Sequence, residues 1–554
     1  MTERLIYLPL GGAGEVGMNA YVYGWGEPGA ERLVLVDLGV TFPDMDSTPG
    51  VDLIFPDTAW LEENRDRLEA VFVTHAHEDH VGAVGHLYSR LGDVPVYARK
   101  FTAIHARRKL EEQGFDAGRI VRVVGPMEGV PVGQMTLSFM PVPHSIPEAS
   151  GMLIDTPAGR IFHTGDFKLD PDPVVGEGFV EEDWRAAAGD GVHALVCDST
   201  NVWVPHPGRS ESLVGPNIRE LVAEASGMVV ATTFASNVAR VQSMIRAGQE
   251  AGRSVCLLGR SMQRMVAAAK EAGVVEDFPE TVDLEDARDI PRESLMLVVT
   301  GSQGERRAAS AQLSRGKYLG LTMAEGDTFL FSSKTIPGNE RGVLQIVNAF
   351  SEQGVDVVSD EETAYHVSGH ANGPDIQRVH EIMRPAMVIP MHGEHRMLRK
   401  QAEMARAAGI PSAVATNGTM LDLTGEAPKV AEHIEAGRIY KDGEVQIGAL
   451  DGVVRDRIRM ALNGTCVVTL IVDEDGDVLG EPWVELMGLP AEGRSGPLAE
   501  TMEARLGATV DALSPKQVAD DDKLDDALRK AARAVSNDEI GKKPEVIVVV
   551  SRLS

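Results

Sequence analysis

Residues 71–86, VFVTHAHEDHVGAVGH, set His75, His77, Asp79 and His80 just after a short β-branched and aromatic run. Imidazoles and a carboxylate at this density are poor material for a dry core, where each needs a polar partner. They suit Zn2+ or a similar ion, which takes imidazole nitrogen and carboxylate oxygen. The blander alternative is a polar structural loop that holds no metal. Spacing alone indicates a site and not a reaction.

The same placement recurs along the chain. Asp37 follows the apolar run 33–36, His144 ends 135–143, Asp166 follows a hairpin-like 152–162, and Asp198 follows 194–197. His392 closes the run that begins at 387, and His366, Ser368 and His370 sit in 365–375. Polar residues at successive strand ends are where a β-rich scaffold converges a site, with the apolar runs behind them forming its core. Asp37 reads equally as a partner for a metal-ligating histidine or as a turn cap before Gly39. The loop 42–57, acidic and rich in Pro and Gly, reads as a cation-binding or lid segment. LGGAGEVGMN at 10–19 permits tight turns and close approach to a ligand, without a GxGxxG dinucleotide pattern.

The elements that must position these residues fall into an α/β pattern. Strands dominate to about 215, and then helices at 217–225, 237–252, 261–272 and 341–354 alternate with strands at 228–234, 254–259, 294–301 and 327–333. Such alternation predicts a parallel sheet covered by helices. The β texture returns at 366, so the βα module reads as an insertion. The expected domains are 1–215 and 366–429 as two parts of one domain, 216–365 as the insertion, 430–463 as a connector with a small β element, and 464–554 as a small α/β domain.

With 554 residues the chain is long enough for several cores. Its 83 acidic and 53 basic residues argue against a generally basic nucleic-acid footprint. A local groove can still hold phosphate, because salt screens charge beyond roughly 8–10 Å. Local basic candidates are Arg240, Arg260, Arg264, Lys334 and the segment 306–317. Cys197, Cys256 and Cys466 lie in apolar runs and read as core thiols. The segment MTERLIYLPLGG is too weakly basic and apolar for a signal peptide, and no apolar run nears the roughly 20 residues of a membrane span. A cytoplasmic enzyme with no membrane association is expected.

THAHEDH, His144 and Asp166 resemble the metallo-β-lactamase superfamily. VDLG at 36–39, HTGDFK at 163–168, CDST at 197–200 and the inserted module with His370 and His392 resemble its β-CASP nucleic-acid-processing branch. TFASN at 233–237, HVSGHA at 366–371, PMHGEHR at 390–396 and the C-terminal module are most similar to the bacterial ribonuclease J family. The resemblance implies an αββα sandwich with an inserted parallel-sheet β-CASP domain and a small C-terminal α/β domain that aids oligomerisation or RNA placement. It implies one Zn2+ on His75, His77 and His144 and a second on Asp79, His80 and His392, with Asp166 bridging. Asp37 and Asp198 would orient these ligands, and His370 would donate a proton. Phe234, Ala235, Ser236, Asn237, His366, Val367, Ser368, Gly369 and His370 would line a pocket for a 5′-monophosphate. Mn2+ or Mg2+ would serve as alternative activating ions, and Gly50, Asp52 and Asp442 would form a distal Ca2+ or Mg2+ site.

The implied activity is 5′-monophosphate-dependent 5′→3′ exonucleolysis of single-stranded RNA, with endonuclease activity, in RNA decay and in rRNA and mRNA maturation. The implied assembly is a homodimer or tetramer with RNA-decay partners. Alternatives are an endonucleolytic RNA 3′-end processing enzyme, a DNA-processing β-CASP nuclease, a small-ester hydrolase and a non-enzymatic scaffold. Two departures stand out: His395, where the family often carries an aromatic, and the end GKKPEVIVVVSRL, which lacks an Arg-rich helix.

Overall fold

The computed structural model describes residues 2–336, 338–359, 365–475 and 477–553. Two sheets face each other in the first domain. One has eight strands in the order Lys429–His433, Thr419–Asp422, Arg4–Gly11, Ala20–Gly26, Arg32–Val36, Leu68–Val73, Val96–Ala98 and Val121–Val123. The other has six, in the order Met387–Met391, Ala194–Asp198, Gly159–His163, Ser150–Thr156, Met135–Pro141 and Val130–Val132.

Alternation along each strand decides which core a residue enters. Ala194 and Val196 point between the sheets with Tyr7, Tyr23, Val36, Phe72 and Phe139. Leu195 and Cys197 point outward against Trp184, Ile376, Val379 and Met383, from the helices Glu181–Ala188 and Gly373–Met383. Strands buried on both faces explain the near-continuous apolar runs in the sequence.

The inserted module is a five-stranded sheet in the order Ser254–Leu258, Leu295–Val299, Val229–Thr232, Thr328–Phe331 and Asp356–Val358, with every pairing parallel. Val230, Leu297 and Phe329 enter a core on one face, and Val229, Ala231, Met296 and Leu330 enter a core on the other. Residues 233–237 leave the carboxyl end of its central strand, where ligands gather in open α/β sheets. The αββα sandwich with an inserted parallel sheet and a smaller C-terminal α/β region is therefore the architecture found.

By contact density the chain forms two compact units, Met1–Thr41 with Ile54–Ile439, and Phe42–Leu53 with Tyr440–Ser554. The second holds a three-stranded sheet in which Thr465–Val472 runs antiparallel to Trp483–Met487 and parallel to Glu545–Arg552. Helices Leu498–Asp511 and Asp521–Ile540 supply Met502, Leu506, Leu524 and Leu528 to its core.

Two local expectations change. The connector 430–463 includes a helix, Val453–Asn463, bounded by Gly452 and Gly464 at positive φ. Val454 is its one buried side chain, so there was little apolar periodicity to reveal it. Of the loop 42–57, read as a cation-binding or lid segment, residues 54–57 belong to the first unit and Phe42–Leu53 to the C-terminal unit. Its Asp44 carboxylate accepts hydrogen bonds from Asp46 N and Ser47 N, and so builds its own turn. The three cysteines are buried thiols. Among the described residues no helix is long and apolar enough to cross a membrane.

Candidate metal centre

The strand Leu68–Val73 delivers Thr74 and then His75, which is fully buried. Residues 75 and 77 are two apart on extended chain, which turns both imidazoles to one side. His77 is the extended N-cap of the short helix Glu78–Val81, and this turn carries Asp79 and His80 beside them. His144, Asp166, Asp198 and His392 arrive from ends of the six-stranded sheet and the loops beyond them.

His75 Nε2 lies 3.1 Å and His144 Nε2 3.2 Å from His77 Nδ1. Asp166 Oδ2 lies 3.8 Å from both His75 Nε2 and His144 Nε2. Ligands about 2.0–2.1 Å from a tetrahedral Zn2+ stand about 3.3 Å apart, so the nitrogen spacing suits that ion. The outer nitrogens are occupied: His75 Nδ1 by Thr74 Oγ1 at 3.0 Å, His77 Nε2 by Ser236 Oγ at 3.1 Å, and His144 Nδ1 by Gly369 O at 2.6 Å. A carbonyl only accepts, so His144 carries its proton on Nδ1 and turns a bare Nε2 lone pair inward. Burial holds His75 and His144 well below the ordinary imidazole pKa and His77 down to about 4. Neutral imidazole is the metal-binding form.

A second set shares Asp166. His80 Nε2 is 3.2 Å from Asp166 Oδ2 and 3.5 Å from Asp79 Oδ2, and His392 Nε2 is 3.3 Å from Asp79 Oδ2. His392 Nδ1 is 2.8 Å from Asp166 Oδ1, yet neither this contact nor that of His392 Nε2 with Asp79 has good hydrogen-bond angles among the described residues. Buried polar atoms so poorly satisfied are costly unless something else engages them. Both donor sets can hold a metal ion, with each set's ligand atoms within 4.8 Å of one another.

Burial opposes charge on Asp166, but His392, His80 and His370 outweigh it and keep the carboxyl ionised. Burial likewise opposes charge on His80, yet Asp166, Asp79 and Asp37 raise it to about 10. This excess of carboxylate is the field a cation would meet.

Asp37 resolves its two readings structurally. Its Oδ2 is 2.8 Å from His80 Nδ1, while its Oδ1 accepts from Thr74 N at 2.8 Å. Asp198 Oδ2 is 2.7 Å from His370 Nδ1, which leaves His370 Nε2 4.0 Å from Asp166 Oδ2. Burial disfavours the imidazolium of His370, but Asp198 and Asp166 prevail and raise its pKa.

Several contributors carried no role in the sequence reading. Asn19 is buried, fixed by Tyr21 OH, and places Nδ2 3.0 Å from Asp79 O and 3.0 Å from His80 Nε2. Thr200 Oγ1 donates to Asp198 Oδ1 at 2.7 Å, and Asn201 Nδ2 donates to Ser368 Oγ at 2.8 Å. Their signal was adjacency to the quoted motifs, with nothing to specify a partner.

The residues expected around a terminal phosphate separate into several environments. Phe234 and Ala235 are half-buried, and Ser236 faces His77. Asn237 Oδ1 accepts from Arg240 N and caps the helix Val238–Glu250, and the Val367 side chain is buried in the inserted module's core. Ser368 Oγ accepts from His370 N at 3.1 Å. A Cβ on Gly369 would fall 2.8 Å from His144 Nδ1, so only glycine brings this backbone so close. Burial, then Arg240, Lys334, Lys168 and Arg209, keep His366 neutral, with a pKa near 3. Arg240, taken as an RNA-facing candidate, is fully buried against Glu211.

The distal residues are engaged by protein groups. Arg457 Nη2 donates to Asp442 Oδ2 at 2.6 Å, its Nη1 packs against Gly50, and Asp52 Oδ2 accepts from Gly443 N. A hard cation at these carboxylates would compete with the Arg457 guanidinium for Asp442.

Family models match four stretches: "Beta-lactamase superfamily domain" at 45–182, "Ribonuclease J, beta-CASP domain" at 226–350, "Zn-dependent metallo-hydrolase RNA specificity domain" at 354–415 and "Ribonuclease J C-terminal domain" at 452–553. The chain is 39% identical to a ribonuclease J of Sinorhizobium meliloti over 100% of its own length and 98% of the relative's. It is 33% identical to a ribonuclease J of Mycolicibacterium smegmatis over 98% and 96%. A crystal structure of a protein of unknown function from Enterococcus faecalis V583 shares the fold, with a TM-score of 0.51 at 15% identity, over 76% of this chain and 100% of that one.

Proposed function

The chain belongs to the ribonuclease J family, and from that membership and its site we propose a metal-dependent β-CASP hydrolase that cleaves phosphodiesters of single-stranded RNA, working from a 5′-monophosphorylated end. The observation that carries this is the pair of His/Asp donor sets sharing Asp166, set beside the Asp198–His370 pair and the loops 233–237 and 366–370. His75, His77 and His144 would hold one Zn2+, and Asp79, His80 and His392 a second, with Asp166 common to both. Bound there, two such ions supply Lewis acidity toward the scissile phosphate and lower the pKa of the attacking water.

The chain's own groups do the rest. Asp37 and Thr74 hold His80 and His75 in the tautomers that present Nε2. Asp198 fixes His370 with Nε2 toward Asp166, and its charge favours the imidazolium, so His370 is poised to protonate the leaving 3′-oxygen. Ser199 is fully buried and its Oγ donates to Gln401 Oε1, so it is a hydrogen-bonding group and not a nucleophile. The loop carrying His366, Ser368 and Gly369, with Ser236 opposite, is the place for a terminal phosphate, which would register removal of one nucleotide at a time. Homodimer or tetramer assembly and RNA-decay partners belong to the same proposal.

The test uses RNA of one sequence, labelled at either end and bearing a 5′-monophosphate or a 5′-triphosphate. Mononucleotide release from the monophosphorylated RNA alone is expected. Internal fragments at equal rates from both substrates would instead support the endonucleolytic alternative.

A further inference from the structure

The two loops assigned to the terminal phosphate also grip the outer nitrogens of the first donor set. Ser236 Oγ sits 3.1 Å from His77 Nε2, and Gly369 O sits 2.6 Å from His144 Nδ1. Ser236 belongs to the inserted module and His77 to the sandwich, 159 residues apart. No other partner within hydrogen-bond distance is seen for His77 Nε2 among the described residues. Nδ1 of the same ring is the atom that faces His75 Nε2 and His144 Nε2.

This arrangement sets the proton bookkeeping. If Nδ1 of His77 offers its lone pair to the centre, Nε2 must carry the hydrogen and donate it to Ser236 Oγ. The serine's own O–H is then free to donate elsewhere, toward the terminal phosphate that the proposed function assigns to its loop. A hydroxyl that accepts from a polarised imidazole is a stronger donor in turn. Its natural acceptor is an anionic oxygen.

We propose that Ser236 is a positioning residue shared by the two functions of the site: it accepts from His77 Nε2–H, orienting that ligand, and donates its hydroxyl proton to a 5′-phosphate oxygen. Metal at the first donor set and a 5′-phosphate in the pocket are then coupled ligands, each tightening the other, since linkage is reciprocal. This rests on the reading of His75, His77 and His144 as a metal site, and the experiment separates the two ideas.

Full-length apoprotein is titrated with Co2+ alone, followed by its visible spectrum, and with Zn2+ against a chelating dye. Wild type, Ser236→Ala and Ser236→Thr are compared with and without adenosine 5′-monophosphate, with adenosine as the uncharged control. Ser236→Ala is expected to weaken one of two metal sites by about 10–100-fold, the usual effect of removing a ligand's outer partner. Ser236→Thr keeps the hydroxyl and should restore affinity and spectrum. In wild type the monophosphate should tighten that same site by about fivefold or more, a typical coupling, and adenosine should not. In Ser236→Ala this linkage should vanish.

Two metal sites of unchanged affinity and spectrum in Ser236→Ala, or a monophosphate effect that survives the substitution, would overturn the coupling and leave the metal centre standing. Wild-type protein that takes up no Co2+ or Zn2+ would overturn both.

Discussion

Arg240→Met tests whether the inserted module is held to the site by a buried ion pair. The guanidinium is fully buried, with Nε 2.5 Å from Glu211 Oε1 and Nη2 2.9 Å from Glu211 Oε2. Its Nη1 reaches Ser332 O at 3.0 Å, Ser332 Oγ at 2.9 Å and Tyr365 O at 3.1 Å. One side chain thus ties the helix Val238–Glu250 to the end of the strand Thr328–Phe331 and to the residue before His366. Methionine fills similar volume, so the cavity contribution is small. What remains is Glu211, buried and without its cation, along with three acceptors that lose a donor.

Breaking a buried pair by removing one partner costs about 3–5 kcal/mol. For a unit of 150–250 residues each kcal/mol shifts the melting temperature by about 2–4 °C, so a loss of about 6–20 °C is expected. Adding Glu211→Gln removes the stranded charge and should recover part of that loss. The assay is calorimetry on wild type, Arg240→Met and the double variant, with hydrogen exchange followed at residues 229–240 and 328–333. Discrimination between 5′-monophosphate and 5′-triphosphate RNA should fall in Arg240→Met, because the backbone at 365–366 loses its anchor. A melting point within about 1 °C of wild type, or a double variant no more stable than the single one, would refute the reasoning.

Asp166→Ala removes the carboxylate common to both donor sets; bound zinc measured by mass spectrometry should drop by at least one ion per chain and RNA cleavage should be abolished, whereas full zinc content with intact cleavage would contradict the shared site. His380 is buried with Nε2 unpartnered among the described residues, and burial lowers its pKa to about 4. The unfolded chain therefore binds the extra proton first, so this residue's stabilisation is complete above about pH 6.5 and is lost as pH falls toward 4, by up to about 3 kcal/mol; His380→Leu should show a smaller drop in melting temperature between pH 7 and pH 4.5 than wild type. Arg457→Ala frees Asp442 and the Pro49 carbonyl, and the partly exposed pair is worth about 1 kcal/mol; faster proteolysis within 42–53 is expected, and millimolar Ca2+ should slow it in the variant but not in wild type.

Much of the scaffold was legible because it is written locally. The alternation that sends Ala194 inward and Leu195 outward is a period of two, and the helices of the inserted module carry three- and four-residue spacing. The donor types were legible as well: imidazoles and carboxylates at strand ends are poor core material at that density. Arg240 was misjudged, since a charged side chain looks identical in sequence whether it meets solvent, a phosphate or a buried partner. Val367 lies within a functional motif, yet its side chain belongs to a hydrophobic core, because a motif is a stretch of backbone and neighbouring residues on it face different ways.

What the sequence determined by itself is the set of elements and the chemistry available at their ends, because sterics, pleat and helical period act over a few residues. What only the tertiary structure decided is which ends meet. His392 is brought to Asp79, Ser236 to His77 and Gly369 to His144 by the packing of two sheets and an inserted module. The same packing seats Arg457 on Asp442, where a cation had been expected. Such pairings depend on the free energy of the whole core, and no spacing along the chain encodes them.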